Sequence, residues 1–317
     1  MAAAQGIRAR LHDAWMLSIA PGLPSRLPWP LAYASYRALA RDRALFPDAT
    51  HAALIAPEYV AIDDLGTFLQ KIRTFHLLDH ADLVLSLRKP VDWWPDHIDV
   101  DGAWPRKGPF VVVSFHYGTG LWLLRRLRRD GFRSKLVSAR FEREALAARP
   151  ALVRYGERRL AEVERICGEP IAYRPGARAA LLGALERGLP IIGVMDMPPR
   201  LAPNGQRPVE FLGRRASLPD GVLTLAAEMR VPIVPCWVEL DFESGRRRVV
   251  IGEARAAEPI DEALADIAGM LDRLLRKEPA GWTFWREWEG WMQDAARLHA
   301  EGSADKQSES DREPLPP

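Results

Sequence analysis

His116 is the side chain in this 317-residue chain best placed to move a proton. It follows the apolar run Pro109-Phe110-Val111-Val112-Val113-Ser114-Phe115 and opens Tyr117-Gly118-Thr119-Gly120. Imidazole is a frequent general base near neutral pH. A carboxylate stands at the end of a second such run, where Ile191-Ile192-Gly193-Val194-Met195 leads into Asp196-Met197-Pro198-Pro199. An acid there can orient an imidazole or hold a substrate group. A third group comprises Glu210, Phe211, Gly213, Arg214 and Arg215. Its two guanidinium groups could pair with phosphate or with the carboxylates of a partner. Each residue also has a plain structural reading. His116 would sit satisfied in a tight turn, Asp196 would cap the turn before two prolines, and Glu210, Arg214 and Arg215 would be solvated.

The elements that must position these residues read as alternating strand and helix. The run before His116 is short, β-branched and bounded by Lys107-Gly108 and by glycines, as a buried strand requires. Further strands are expected at 97–101, 135–138, 190–195, 233–240 and 248–252. Helices are expected at 120–129, 141–165, 176–187 and 219–229, the last with Pro219 near its first position and entered by a loop through Asn204-Gly205. This alternation predicts an α/β fold with a mostly parallel central sheet flanked by helices. His116 and Asp196 would both lie at the carboxyl edge of that sheet, where open α/β sheets bind ligands. The segments around Trp237-Phe242 and Arg247-Ile251, joined through Glu243-Ser244-Gly245, predict an antiparallel hairpin instead.

Three segments are expected: an N-terminal helical, membrane-associating part over 1–57, an α/β domain over 58–300, and a disordered polar tail over 301–317. The first part is greasy, with Trp15, Met16, Leu17, Ile19, Leu23, Leu27, Trp29 and Leu31 set among Arg8, Arg10, Arg26, Arg37, Arg41 and Arg43. Apolar anchors mixed with arginine suit a helix lying in the headgroup plane; packing on the domain is the alternative. No run approaches the roughly 18 apolar residues of a membrane-spanning helix, and charged residues stand where a signal peptide would be apolar. The net charge of +2 creates no field that calls for nucleic acid. Cys167 and Cys236 form no disulfide or zinc pattern, so a reducing compartment is expected. With no phosphate-cradling glycine loop either, neither a metal nor an organic cofactor is indicated.

Three other features have default readings as structure. The arginines at 125, 126, 128 and 129 read as a solvated helix face, with attraction to a carrier protein or anionic lipid as the alternative. Arg246-Arg247-Arg248 reads as an exposed strand end, and Trp282, Trp285, Trp288 and Trp291 read as core packing.

Taken in order, these blocks resemble the lauroyl/myristoyl lipid A biosynthesis acyltransferases, within the lysophospholipid and glycerolipid acyltransferase superfamily. The resemblance rests on the greasy N-terminal helix, Leu45-Phe46-Pro47, the strand-His-x-Gly block ending at Gly118, the strand ending in Asp196, Phe211 to Gly221, Val231 to Pro235, and the closing Pro279 to Trp285. It implies transfer of a fatty acyl group from a thioester, on acyl carrier protein or coenzyme A, to a hydroxyl of a lipid or glycolipid. His116 would be the general base, with Gly118, Glu210, Phe211, Gly213, Arg214 and Arg215 about the substrate. The enzyme would work peripherally at the cytoplasmic face of a bacterial inner membrane.

The chain departs from the family pattern at one point. The family carries an acid five residues after its histidine, and here that residue is Leu121. Leucine cannot accept a hydrogen bond from imidazole. Three readings follow: Asp196 or Glu210 substitutes, the base works without an orienter, or the protein is a silent relative that binds lipid or carrier protein. An acyltransferase for a different acceptor, such as a pigment-type alcohol, is a further alternative.

Overall fold

The computed structural model describes residues 10–47, 49–140, 143, 146–199, 202, 205–288 and 291. The tail expected over 301–317, Arg8, Asn204 and part of the helical stretch expected at 141–165 lie outside the described residues.

Among the described residues nine strands form: β1 Ile98–Asp101, β2 Val111–Ser114, β3 Lys135–Ala139, β4 Ala172–Arg174, β5 Ile191–Val194, β6 Gln206–Phe211, β7 Arg214–Pro219, β8 Ile233–Leu240 and β9 Arg247–Ile251. Seven of them make one sheet in the order β1-β9-β8-β2-β5-β3-β4. The five from β8 to β4 run parallel, β9 runs against β8, and β1 runs with β9. The α/β class, the mostly parallel sheet and the β8–β9 hairpin follow the expectation.

The helices are α1 Trp29–Leu39, α2 Ala49–Ile55, α3 Leu65–Leu87, α4 Leu121–Arg129, α5 Pro150–Cys167, α6 Ala177–Glu186, α7 Gly221–Glu228 and α8 Ile260–Lys277. They cover both faces of the sheet, which is why its inner strands are apolar throughout. On β2 and β5 the strand period of two divides the residues between the faces. Val111, Val113, Phe115, Ile191 and Met195 join a cluster with α6, α7, α8 and the C-terminal tryptophans. Phe110, Val112 and Ile192 join α4 and α5 on the other face. Tyr36, Phe75, Leu78 and Leu240 belong to a third cluster, which packs the N-terminal segments onto α3 and the end of β8.

Several local expectations need correction. Helix α5 starts at Pro150, because proline suits the first helical turn and nothing upstream of it. Pro219 ends β7, and α7 begins at Gly221. The β6–β7 pair was not expected: Leu212 and Gly213, both at positive φ, close a tight hairpin of the kind that matches strand twist. β4, three residues at the sheet edge, is too short to leave a periodic signal. Arg125 is not on a solvated face: it is fully buried, with Ser86 and Glu162 as partners. Arg247 is likewise buried and paired with Asp82 of α3, so only its neighbours Arg246 and Arg248 are exposed.

Candidate active site

Strand register brings His116 and Asp196 together. Ser114 pairs with Val194 across β2 and β5, and the Met195 amide extends the ladder to the Ser114 carbonyl at 2.8 Å. Two residues past that register point, His116 and Asp196 leave the sheet side by side. The His116 backbone N–H donates to both Asp196 oxygens, at 3.0 and 2.8 Å. Its ring Nδ1 lies 2.9 Å from Asp196 Oδ1. An ionised carboxylate accepts only, so Nδ1 carries the proton and Nε2 is left as the basic nitrogen. Asp196 is fully buried, whereas the His116 side chain keeps 36% of its surface accessible. A dry carboxylate behind a half-open imidazole is the base-and-orienter geometry of acyl-transfer enzymes.

A segment from the far end of the chain closes over this pair. Gly118 donates to the Gly281 carbonyl at 2.9 Å, Tyr117 bridges Trp282 in antiparallel fashion, and Thr283 donates to the His116 carbonyl at 3.3 Å. The indole Nε1 of Trp282 reaches Asp196 Oδ2 at 2.8 Å, and the Phe284 ring meets the imidazole edge-to-face at 4.3 Å. Tyr117 is buried and already bonded. Its hydroxyl donates to the Glu278 carbonyl at 3.2 Å, and burial pushes its pKa well above the usual phenol value. Gly118 is required by the fold: its φ is +71°, and a Cβ there would stand 1.6 Å from the Val238 carbonyl oxygen. It serves the turn that aims His116.

The other expected residues lie elsewhere. Glu210 is exposed on β6, directly across from Arg215 of β7, and makes no bond to His116. Arg214 and Arg215 are exposed on the same hairpin, and Gly213 is its turn. Phe211 is buried among Trp282, Trp288 and Trp291, so it touches the site only through Trp282. Leu121, at the family's acid position, is buried in the apolar layer between α4 and the sheet.

Trp282, Thr283 and Phe284 were missed as site residues. Their signal in the sequence was a tryptophan repeat, and that repeat speaks equally for core, which it also forms: all four tryptophans are buried. At the carboxyl end of β8, on the sheet edge that carries His116, is a cavity of about 780 Å³ that His116 and Asp196 do not line. It lies beyond the ends of β8 and α8 and is lined by Arg37, Lys71, Glu239, Arg248, Lys277 and Glu278, among others.

Compared with protein-family models and with curated proteins, the sequence matches none.

Proposed function

We propose that the protein is an acyltransferase, moving a fatty acyl group from a thioester on acyl carrier protein or coenzyme A to a hydroxyl of a lipid or glycolipid. The observation that carries this reading is the His116–Asp196 pair, with Nδ1 engaged and Nε2 left basic. Nε2 takes the proton of the acceptor hydroxyl as its oxygen attacks the thioester carbonyl. The C–S bond then breaks, and the departing sulfur takes the proton back from the imidazolium. Asp196 holds the ring and stabilises its charged form throughout. No side chain caps α4, so its first-turn N–H groups are candidates to hold the oxyanion. The mixed-charge cavity on the same sheet edge, joined to the site segment through the Tyr117–Glu278 bond, suits the polar headgroup of the acceptor.

Reading the protein as a silent relative rested on the missing acid at position 121. Asp196 withdraws that ground, since it stands where an orienter is needed. The remaining support is on the N-terminal segments. Every fourth residue from Leu11 to Leu31, namely Leu11, Trp15, Ile19, Leu23, Leu27 and Leu31, is a large exposed apolar side chain. Arg10 and Arg26 are exposed in the same stretch. Met16 and Leu17, by contrast, are buried. No described helix is long and apolar enough to cross a membrane. Exposed apolar side chains set among arginines suit peripheral contact with an anionic leaflet, which agrees with work at the cytoplasmic face of a bacterial inner membrane.

The test is thiol release from acyl-carrier-protein and acyl-CoA thioesters in the presence of lipid acceptors. Both cysteines of the protein are buried, which keeps its own thiols out of a colorimetric readout. His116→Ala abolishes release while thermal unfolding stays cooperative. A folded His116→Ala protein with near-parental turnover refutes the general-base role.

A further inference from the structure

We infer that Trp282 is the third member of the His116–Asp196 unit, a positioning residue that acts on the imidazole through the carboxylate. Asp196 is completely buried. Its Oδ1 receives His116 Nδ1 and the His116 amide, and its Oδ2 receives the same amide and the indole N–H of Trp282 at 2.8 Å. Trp282 is thus the one donor to Asp196, among the described residues, that is independent of His116. Without it the carboxylate could pivot about the histidine it is meant to hold.

Packing alone does not account for this bond. In the same aromatic cluster the indole nitrogens of Trp288 and Trp291 are buried with no hydrogen-bond partner among the described residues. Trp285 directs its own to the Pro279 carbonyl. A buried indole N–H therefore does not need a carboxylate here, whereas a buried carboxylate needs every donor it can reach. The indole is also rigidly set. Its backbone bridges Tyr117, and its ring is packed by Trp285 at 5.0 Å, Trp291 at 5.3 Å and Phe211 at 5.9 Å.

Removing the N–H changes what the carboxylate asks of the imidazole. With one fewer donor, the negative charge of Asp196 is less satisfied and binds the protonated ring more strongly. His116 then holds its proton to higher pH, and a base that must be neutral is lost sooner as pH falls.

The experiment is an NMR titration of the His116 ring nitrogens, assigned by their absence in His116→Gln. It is run on the parent, Trp282→Phe and Trp285→Phe. The expected result is a midpoint raised by roughly 0.5–1 pH unit in Trp282→Phe, with no shift in Trp285→Phe, which removes a neighbouring indole of the same cluster. The acid limb of turnover moves by the same amount and kcat falls about tenfold, while KM stays within about twofold. Should Trp282→Phe not fold, codon-directed β-benzothienylalanine at 282 keeps the bicyclic ring and replaces N–H with sulfur, and the same shift is expected. Coincident midpoints in parent and variant overturn the proposal, and so does an equal shift in Trp285→Phe. The rate arm rests on the acyl-transfer reading, but the NMR arm does not. A shifted midpoint in a protein without turnover on any thioester supports the role of Trp282 and refutes the reaction.

Discussion

Replacing Asp196 with asparagine tests the site at its most exposed assumption, because the two side chains share a shape and differ in what they can accept. Asp196 takes four hydrogen bonds from three donors. Asparagine offers one carbonyl oxygen and one NH₂ group, so one side of the site must lose. With the NH₂ at the Oδ1 position it faces Nδ1, and the ring answers by moving its proton to Nε2. The atom needed as base is then capped. With the NH₂ at the Oδ2 position it faces the indole N–H, donor against donor. That arrangement keeps the tautomer but costs about 1–3 kcal/mol for a buried unsatisfied donor, and the imidazolium still lacks a counter-charge. The tautomer outcome in the serine-protease comparison lowers kcat by about 10⁴-fold, equivalent to roughly 5.4 kcal/mol of barrier. We therefore expect Asp196→Asn to lose at least about a thousandfold in kcat, with KM nearly unchanged. Thioester turnover would be measured beside thermal unfolding. Turnover within tenfold of the parent, in a protein that melts normally, would refute the orienter role of Asp196 and with it the argument from register.

Three further outcomes follow. Leu121→Glu and Leu121→Asp do not raise turnover, because the orienter is already in place; both lower the melting temperature, since Leu121 is buried in an apolar layer where its loss costs about 1.5–3 kcal/mol before any charge is counted. A tenfold gain in turnover in either would contradict this. Changing Leu23, Leu27 and Leu31 together to glutamine weakens flotation with anionic liposomes, an effect that parental protein mimics in high salt; Met16 and Leu17, being buried, lower stability when made polar. Equal flotation of the triple variant would remove the membrane assignment. Finally, desolvation by burial depresses the His80 pKa to about 3, opposed by the charge of Asp79 and aided by His76 and Arg159. The unfolded chain takes up that proton near its ordinary value of about 6.5, before the folded one does. Unfolding free energy therefore drops as pH falls from about 6.5 toward 3, by up to about 1.4 kcal/mol per unit from this residue. His80→Phe flattens that slope in denaturant melts; an unchanged slope would mean His80 is protonated in the folded protein.

The sequence disclosed the scaffold better than the site. Runs such as Val111-Val112-Val113 and Ile191-Ile192 carry strand identity in their own composition, because a sheet covered on both faces needs apolar residues throughout. They do not say which strands are neighbours. The pairing of β2 with β5, and so the meeting of His116 with Asp196 rather than Glu210, is a matter of strand order, on which local periodicity is silent. Arg125 and Arg247 were misread for a related reason: a charged residue looks solvent-facing until its buried partner, Glu162 or Asp82, is brought in by another element. Gly118 shows the converse. A glycine after a histidine suggests room for substrate, while its actual constraint is the Val238 carbonyl of a strand more than a hundred residues on.

The closing segment also sets an order of events in biogenesis. During synthesis β2 and β5 emerge early and can pair, placing His116 against Asp196. The indole that completes their bonding is 86 residues further along, and the backbone that caps the His116 carbonyl is 167 residues from it. Both donors follow β2 and β5 in the chain, so they leave the ribosome after them. A nascent chain therefore carries the base and its acid before it carries their lock. A product released before Pro279 would lack the Trp282 donor to Asp196 and the Thr283 donor to the His116 carbonyl. Completion of the described chain and completion of the hydrogen bonding around Asp196 would then coincide.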